Sequence, residues 1–192
     1  MVTFDNQRSA LVIFDYTPKL YHLRDRSHAM RYKNYADLAT FGKRLLTATA
    51  LEEGLPLIAE YSKEIAHAKR CSVFVYDEVT RELWTTLADG IDKIVIDANE
   101  GVVGKAFRLG EVIVVNDVNS SPYFCEAIDK ASGFETKNLI ATPIFNSKRE
   151  VIGVLELLNK AGGFDEEDKT FTQFFTNFIS GFVELSLLHA QR

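Results

Sequence analysis

The spacing of hydrophobic positions changes twice along the chain. Between Asn34 and His67 apolar or small residues recur every three to four positions: Leu38, Phe41, Leu45 and Leu46, then Leu55, Ile58, Ala59, Ser62, Ile65 and Ala66. That is the spacing of helices burying one face. It predicts one helix from Asn34 and a second from about Ala50 to His67, opened by a capping box of Thr49 with Glu52. From Cys71 the period drops to two. Cys71–Asp77 and Glu82–Ala88 alternate around a turn near 78–80, which predicts a hairpin. Asp89-Gly90 marks a turn before a third strand at Lys93–Asp97. Glu100–Phe107 reads as a loop opening a short helix that ends near Gly110. Val112–Val115 is a short strand, and Tyr123–Ala131 a further short helix. Asn138–Phe145 and Val151–Leu158 flank the polar turn 146–150 and predict a second hairpin. Both faces of Val151–Leu158 are apolar, as in a strand covered on both sides. Glu156 is the exception, because a carboxylate there is costly unless something pairs with it. From Phe164 the helical period returns, with Phe171, Phe174, Phe175, Phe178, Ile179, Phe182 and Val183 on a broad stripe. Asp165–Asp168 crowd its first turn, where acids complement the positive helix end. The stripe is wider than one sheet needs, so a homodimer sharing its terminal helices is expected.

This order predicts an α+β fold: a central antiparallel sheet of about six strands, long N- and C-terminal helices on one face, and short helices and loops over the other. Residues 34–192 form one domain in this reading. Residues 1–33 are an extension, with a strand-like run at Ala10–Phe14 and a basic stretch from Lys19 to Lys33.

Charge and composition narrow the functional classes. The net charge is −5, which gives no electrostatic footprint for nucleic acid. No apolar run reaches the length of a spanning helix, and the N-terminus lacks a secretory signal pattern. The two cysteines, Cys71 and Cys125, have no metal-type spacing. A reduced, cytoplasmic protein is expected.

Catalytic motifs fit poorly. His22, His28, His67 and His189 all lie outside the β-rich region, so a nucleophilic triad there would have no base. Glu100-Gly-Val-Val-Gly104 has neither the third glycine of a dinucleotide loop nor the Lys-Ser/Thr of a phosphate loop. The acids at 165–168 do not follow the calcium-loop pattern. The long, turn-rich segments between Asp89 and Ser132 instead suit a face that caps a ligand.

The run Gly133–Phe145 followed by Glu150–Lys160 resembles a GAF domain, most of all the regulatory GAF domains of cyclic-nucleotide phosphodiesterases. The signature of that branch falls in register at Asn159, Lys160, Phe164 and Asp168, with Lys169 where the family has Glu. The resemblance spans about Tyr35 to Leu188. It implies a Lys160–Asp168 bridge that holds a strand end against the last helix. It also implies a ligand site. Ser72 would contact a base, and Leu87 or Ala88 stands where the family stacks an aromatic ring. Asp89 would meet the base edge, and Val102 and Val103 would offer backbone N–H donors to a cyclic phosphate. Ser132 and Thr136 would belong to a lid over 116–136, and Glu156 would be a carboxylate under the pocket. The bilin-binding, haem-binding and methionine-sulfoxide-reductase branches need cysteine or histidine patterns that this sequence lacks.

The expected function is therefore a sensory, non-enzymatic module binding a small molecule, with cGMP or cAMP as the regulatory ligand the resemblance implies. Signalling would pass through a helical dimer interface to an output domain such as a cyclase, phosphodiesterase or kinase lying outside this chain. The alternative is a ligand-free dimerisation or scaffold module with a vestigial pocket. No catalytic residue, metal, nucleic acid or membrane partner is expected.

Overall fold

The computed structural model describes residues 26–85, 94–125, 129 and 133–190. Two compact units divide the chain after Leu38. Of the first, residues 26–38 are the start of a helix, α1, which runs from Arg26 to Leu45. This helix begins eight residues before Asn34. Residues 26–33 hold no glycine or proline to stop it, but the apolar stripe that reveals it in the sequence starts only at Leu38. The expected strand at Ala10–Phe14 lies outside the described residues.

The sheet belongs to the second unit, Ala39–Arg192. Helix α2 spans Leu51–Ile65, with Ala50 in extended conformation as its N-cap. The capping interaction is shifted by one residue from the expected Thr49–Glu52 pair. Glu53 stands three residues after the cap, and its Oε2 accepts from the Thr49 amide at 2.7 Å and the Thr49 hydroxyl at 3.0 Å. The Thr49 amide is the main reason that the Glu53 carboxyl titrates below its usual range.

Six strands follow: β1 Arg70–Asp77, β2 Glu82–Thr85, β3 Ile94–Asp97, β4 Ile113–Val115, β5 Leu139–Phe145 and β6 Val151–Leu158. Helix α3, Gly101–Leu109, lies between β3 and β4 and ends at the left-handed Gly110. The strands are ordered β3-β2-β1-β6-β5-β4, with every neighbouring pair antiparallel. The two longest strands, β1 and β6, sit at the centre. They approach closely because residue 153 is glycine: a Cβ there would stand 2.4 Å from the Phe74 carbonyl oxygen. The helix expected at Tyr123–Ala131 falls partly outside the described residues, within which Pro122 and Tyr123 form a turn and Asp129 is helical.

Strand alternation sorts the core into two layers. Val73, Val75, Ile140, Ile144, Leu155 and Leu157 share one face with Thr142. That face meets α2 and a long helix α4, Glu166–Ala190. Thr142 donates to Thr172 of α4 at 2.9 Å. Phe175 is fully buried there, tilted against Phe41 and stacked with Tyr61, with ring centroids 5.5 and 5.4 Å away. The other face carries Phe74, Leu83, Leu139, Ala141, Val154 and Leu158, packed against Val102, Val103 and Ala106 of α3. Long helices thus cover one side and the short helix the other, the α+β layering expected.

Helix α4 begins at Glu166 rather than Phe164 because Asp165 caps it. Its Oδ1 accepts from the amides of Glu167 at 2.9 Å and Asp168 at 3.0 Å. Asp168 Oδ2 accepts in return from the Asp165 amide at 2.9 Å, closing a capping box. On the outer side of α4, Phe174, Phe178, Leu185 and Leu188 are exposed.

Candidate functional site

A cavity of about 270 Å³ lies over the α3-side face of the sheet. Phe74, Leu139, Glu156 and Leu158 form its floor. The end of β3 and the first turn of α3 form one wall, through Asp97, Glu100, Val102 and Val103. The segment joining β4 to β5 closes it with Phe124, Cys125, Asp129 and Thr136.

Of the residues expected at a ligand site, the cavity brings together Val102, Val103, Thr136 and Glu156. Ser72 is buried directly across the ladder from Glu156 and is not among the described residues that line the cavity. Leu87, Ala88, Asp89 and Ser132 lie outside the described residues. The cavity also uses residues that the sequence reading passed over. Phe124 supplies an aromatic ring from the lid, with Phe74 below it, whereas the reading placed a missing ring at 87–88. Asp129, Glu100 and Cys125 join the lining, though no periodicity or spacing singles them out.

Glu156 makes no hydrogen bond or ion pair with another described residue. It stands on the central strand between Ser72 of β1 and Ala141 of β5, and faces the cavity. Burial, with a further contribution from the charge of Asp129, pushes its carboxyl up to about 7. Asp129 is held by Thr136, which donates its amide to Oδ2 at 2.6 Å and its hydroxyl to Oδ1 at 2.8 Å. Across the cavity, the first helical hydrogen bond of α3 runs from the Gly104 amide to the Glu100 carbonyl. The amides of Gly101, Val102 and Val103 therefore have no partner within the helix, and the Glu100 side chain does not cap them.

The lid is fastened at several points. Lys105 Nζ sits 3.9 Å from the centroid of the Tyr123 ring, and the Arg70 guanidinium 4.0 Å from that of Phe134. Asn159, in left-handed conformation (φ 59°), brackets Thr136. Its Oδ1 accepts from the Lys137 amide at 2.6 Å, and its Nδ2 donates to the Glu135 carbonyl at 2.7 Å. The next residue, Lys160, reaches the other way. Its Nζ lies 2.7 and 2.6 Å from the two oxygens of Asp168, in the capping box of α4. Phe164 is buried, and its backbone is gripped by Asn116, which accepts from the amide at 2.8 Å and donates to the carbonyl at 2.9 Å. A continuous set of contacts thus joins Asp129 in the cavity to the start of α4.

Among the described residues no group of three His, Cys, Asp or Glu is placed to hold a metal ion, and no helix is long and apolar enough to cross a membrane.

A six-stranded antiparallel sheet with long helices on one face and a cavity beside a short helix on the other is the architecture of the GAF domains. The GAF domain family model matches residues 50–181, and the chain belongs to that family. Solved structures share the fold at low identity. The GAF domain of an Acinetobacter phosphoenolpyruvate-protein phosphotransferase is 15% identical, with a TM-score of 0.69 over 83% of this chain and 98% of that one. The corresponding domain from Coxiella burnetii is 21% identical, with a TM-score of 0.69 over 82% and 94%. The free methionine-R-sulfoxide reductase of Neisseria meningitidis, solved with its substrate, is 21% identical, with a TM-score of 0.66 over 88% and 97%. The fold is therefore shared by regulatory domains and by at least one enzyme.

Proposed function

We propose that this GAF domain is a sensory module, not an enzyme, which admits a small molecule to the cavity over the sheet and relays its binding to α4. The observation that carries this reading is the cavity itself, with an unpaired carboxylate in its floor and a lid tied through Asn159 and Lys160 to the cap of α4. A ligand that orders the lid would act on the Thr136–Asn159 contacts and so on the helix start. Residues 34–192 make up the module and 1–33 an extension to it.

The resemblance puts cGMP and cAMP first among the ligands to test. The base would lie near Phe124 with Glu156 and Asp129 as acceptors, and the cyclic phosphate near the amides of Val102 and Val103. Thr136, with Ala88, Asp89 and Ser132, would complete that site, and Ser72 would act only through Glu156 beside it. Isothermal titration of the full chain with cAMP and cGMP tests this ligand choice; absence of heat with both removes it.

The output is a helical homodimer acting on a cyclase, phosphodiesterase or kinase domain in the cytoplasm. Phe174, Phe178, Gly181, Leu185 and Leu188 follow one another at intervals of four, three, four and three residues on the exposed side of α4. That is the seam spacing of paired helices. Leu185→Lys is expected to turn a dimer into a monomer in sedimentation velocity. A wild-type chain that sediments as a monomer would overturn the dimer.

A further inference from the structure

The charge of the cavity points to a ligand class different from an anionic nucleotide. We infer that the cavity takes a small organic cation, a protonated amine or amidine on an apolar body, with the charge at Glu156 and Asp129. This rests on the cavity being a ligand site and adds the chemistry of what enters it.

Four carboxylates line the cavity, those of Asp97, Glu100, Asp129 and Glu156, and no lysine, arginine or histidine lines it among the described residues. Two of the four have local partners: Asp97 accepts from the Asn99 amide and side chain, and Asp129 from Thr136. Glu156 has none, although it faces the cavity from the central strand. Four described cations on the surrounding elements are engaged elsewhere. Lys105 lies over Tyr123, Arg70 lies over Phe134, Arg108 donates to the Ala98 carbonyl at 3.2 Å, and Lys160 is paired with Asp168.

An anion entering this site would lose its water beside four carboxylates and meet no cation among the described residues, with only the first amides of α3 to offset that cost. An ammonium group would neutralise Glu156 and remove the cost of its isolation. The carboxylates do not form a metal-type cluster among the described residues, so a compact divalent ion is poorly served. Phe74, Phe124, Leu139 and Leu158 offer apolar surface to the rest of the ligand. An aromatic face beside a cation adds attraction. The free amides at the start of α3 can meet a neutral acceptor atom on the same molecule.

The groups facing Glu156 are Asp129 and Cys125 from the lid, and Asp97 and Glu100 from the β3–α3 wall; none of these carries positive charge. A cation bound at Glu156 must find it ionised. Affinity therefore rises as pH passes through 7, with release of a proton on binding.

The test uses the full chain and three compounds sharing one apolar body: phenethylamine, 2-phenylethanol and 3-phenylpropionate, with cGMP and cAMP alongside. Binding is read from amide chemical-shift changes on β6 and α3 at pH 6 and pH 8. Phenethylamine is expected to bind at least about tenfold more tightly than 3-phenylpropionate, and about tenfold more tightly at pH 8 than at pH 6. Glu156→Gln is expected to abolish the pH difference and to reduce the preference for the amine, with Asp129 still in place. The wild-type pH dependence stands as a separate readout should that variant fold poorly. Equal or tighter binding of 3-phenylpropionate or of a cyclic nucleotide at these residues would overturn the cation while leaving a ligand site in place. No shift at β6 or α3 with any of the five compounds would overturn both readings.

Discussion

Glu156 and Asp168 are both acids set against the same hairpin strand, yet they are provided for in opposite ways. Asp168 is almost fully buried and both its oxygens are partnered: two contacts to Lys160 and one to the Asp165 amide. Glu156 faces a cavity and has no partner among the described residues. A buried charge with both oxygens partnered holds two elements together. One left open retains the capacity to bind something else. The fold thus separates a structural lock, at the β6–α4 junction, from a carboxylate facing a cavity, on the α3 side of the sheet.

This contrast can be broken from either side. The largest effect is expected at the lock. Asp168→Ala leaves Lys160 without its partner and opens the capping box, at a cost of about 3 kcal/mol, measured by urea denaturation. Asn159→Gly keeps a backbone suited to φ 59° but removes three side-chain hydrogen bonds to the lid end. A loss of about 2 kcal/mol is expected, with faster hydrogen exchange across 133–138.

At the open carboxylate the sign reverses. The Glu156 carboxyl titrates near 7 in the folded chain against 4.5 for the unperturbed group. The native state therefore holds the extra proton between those values, and stability falls as pH rises through that window. Glu156→Gln keeps the neutral shape at every pH. It is expected to stabilise the free protein by up to about 3 kcal/mol at pH 8, and the gain should vanish as pH falls below 4.5. A variant less stable than wild type at pH 8 would show that Glu156 has a structural partner after all. The smallest effect belongs to the lid fastening. Lys105→Ala removes the contact over Tyr123 and is expected to cost about 0.5 kcal/mol, seen as faster local exchange near 121–125 with little change in global stability.

The sheet was legible because its strands announce themselves locally. Alternation in Cys71–Asp77 and the two-sided apolar run of Val151–Leu158 are properties of neighbouring residues, and both became central strands. The β5–β6 hairpin needed only its turn residues. Helix α1 was read short at its start because the sequence shows a helix through its buried stripe, and Arg26–Lys33 carry no such stripe. The capping of α2 was off by one because Ala50, not Thr49, is the cap, so the third helical residue is Glu53, which reaches back to Thr49 outside the helix.

The site was legible only in part. Glu156 stood out because a lone carboxylate breaks an apolar strand, and Thr136, Val102 and Val103 came through the family resemblance. Phe124 and Asp129 did not, since no periodicity or spacing in the sequence marks either one as part of the lining. By itself the sequence determined the alternation of strand and helix, and the one acid that had no apolar reason to be where it is. Tertiary structure decided that this acid faces a cavity free of described cations while a second acid, twelve residues on, closes a lock. Both outcomes depend on side chains brought together from distant parts of the chain, and burial and pairing exist only once those parts meet.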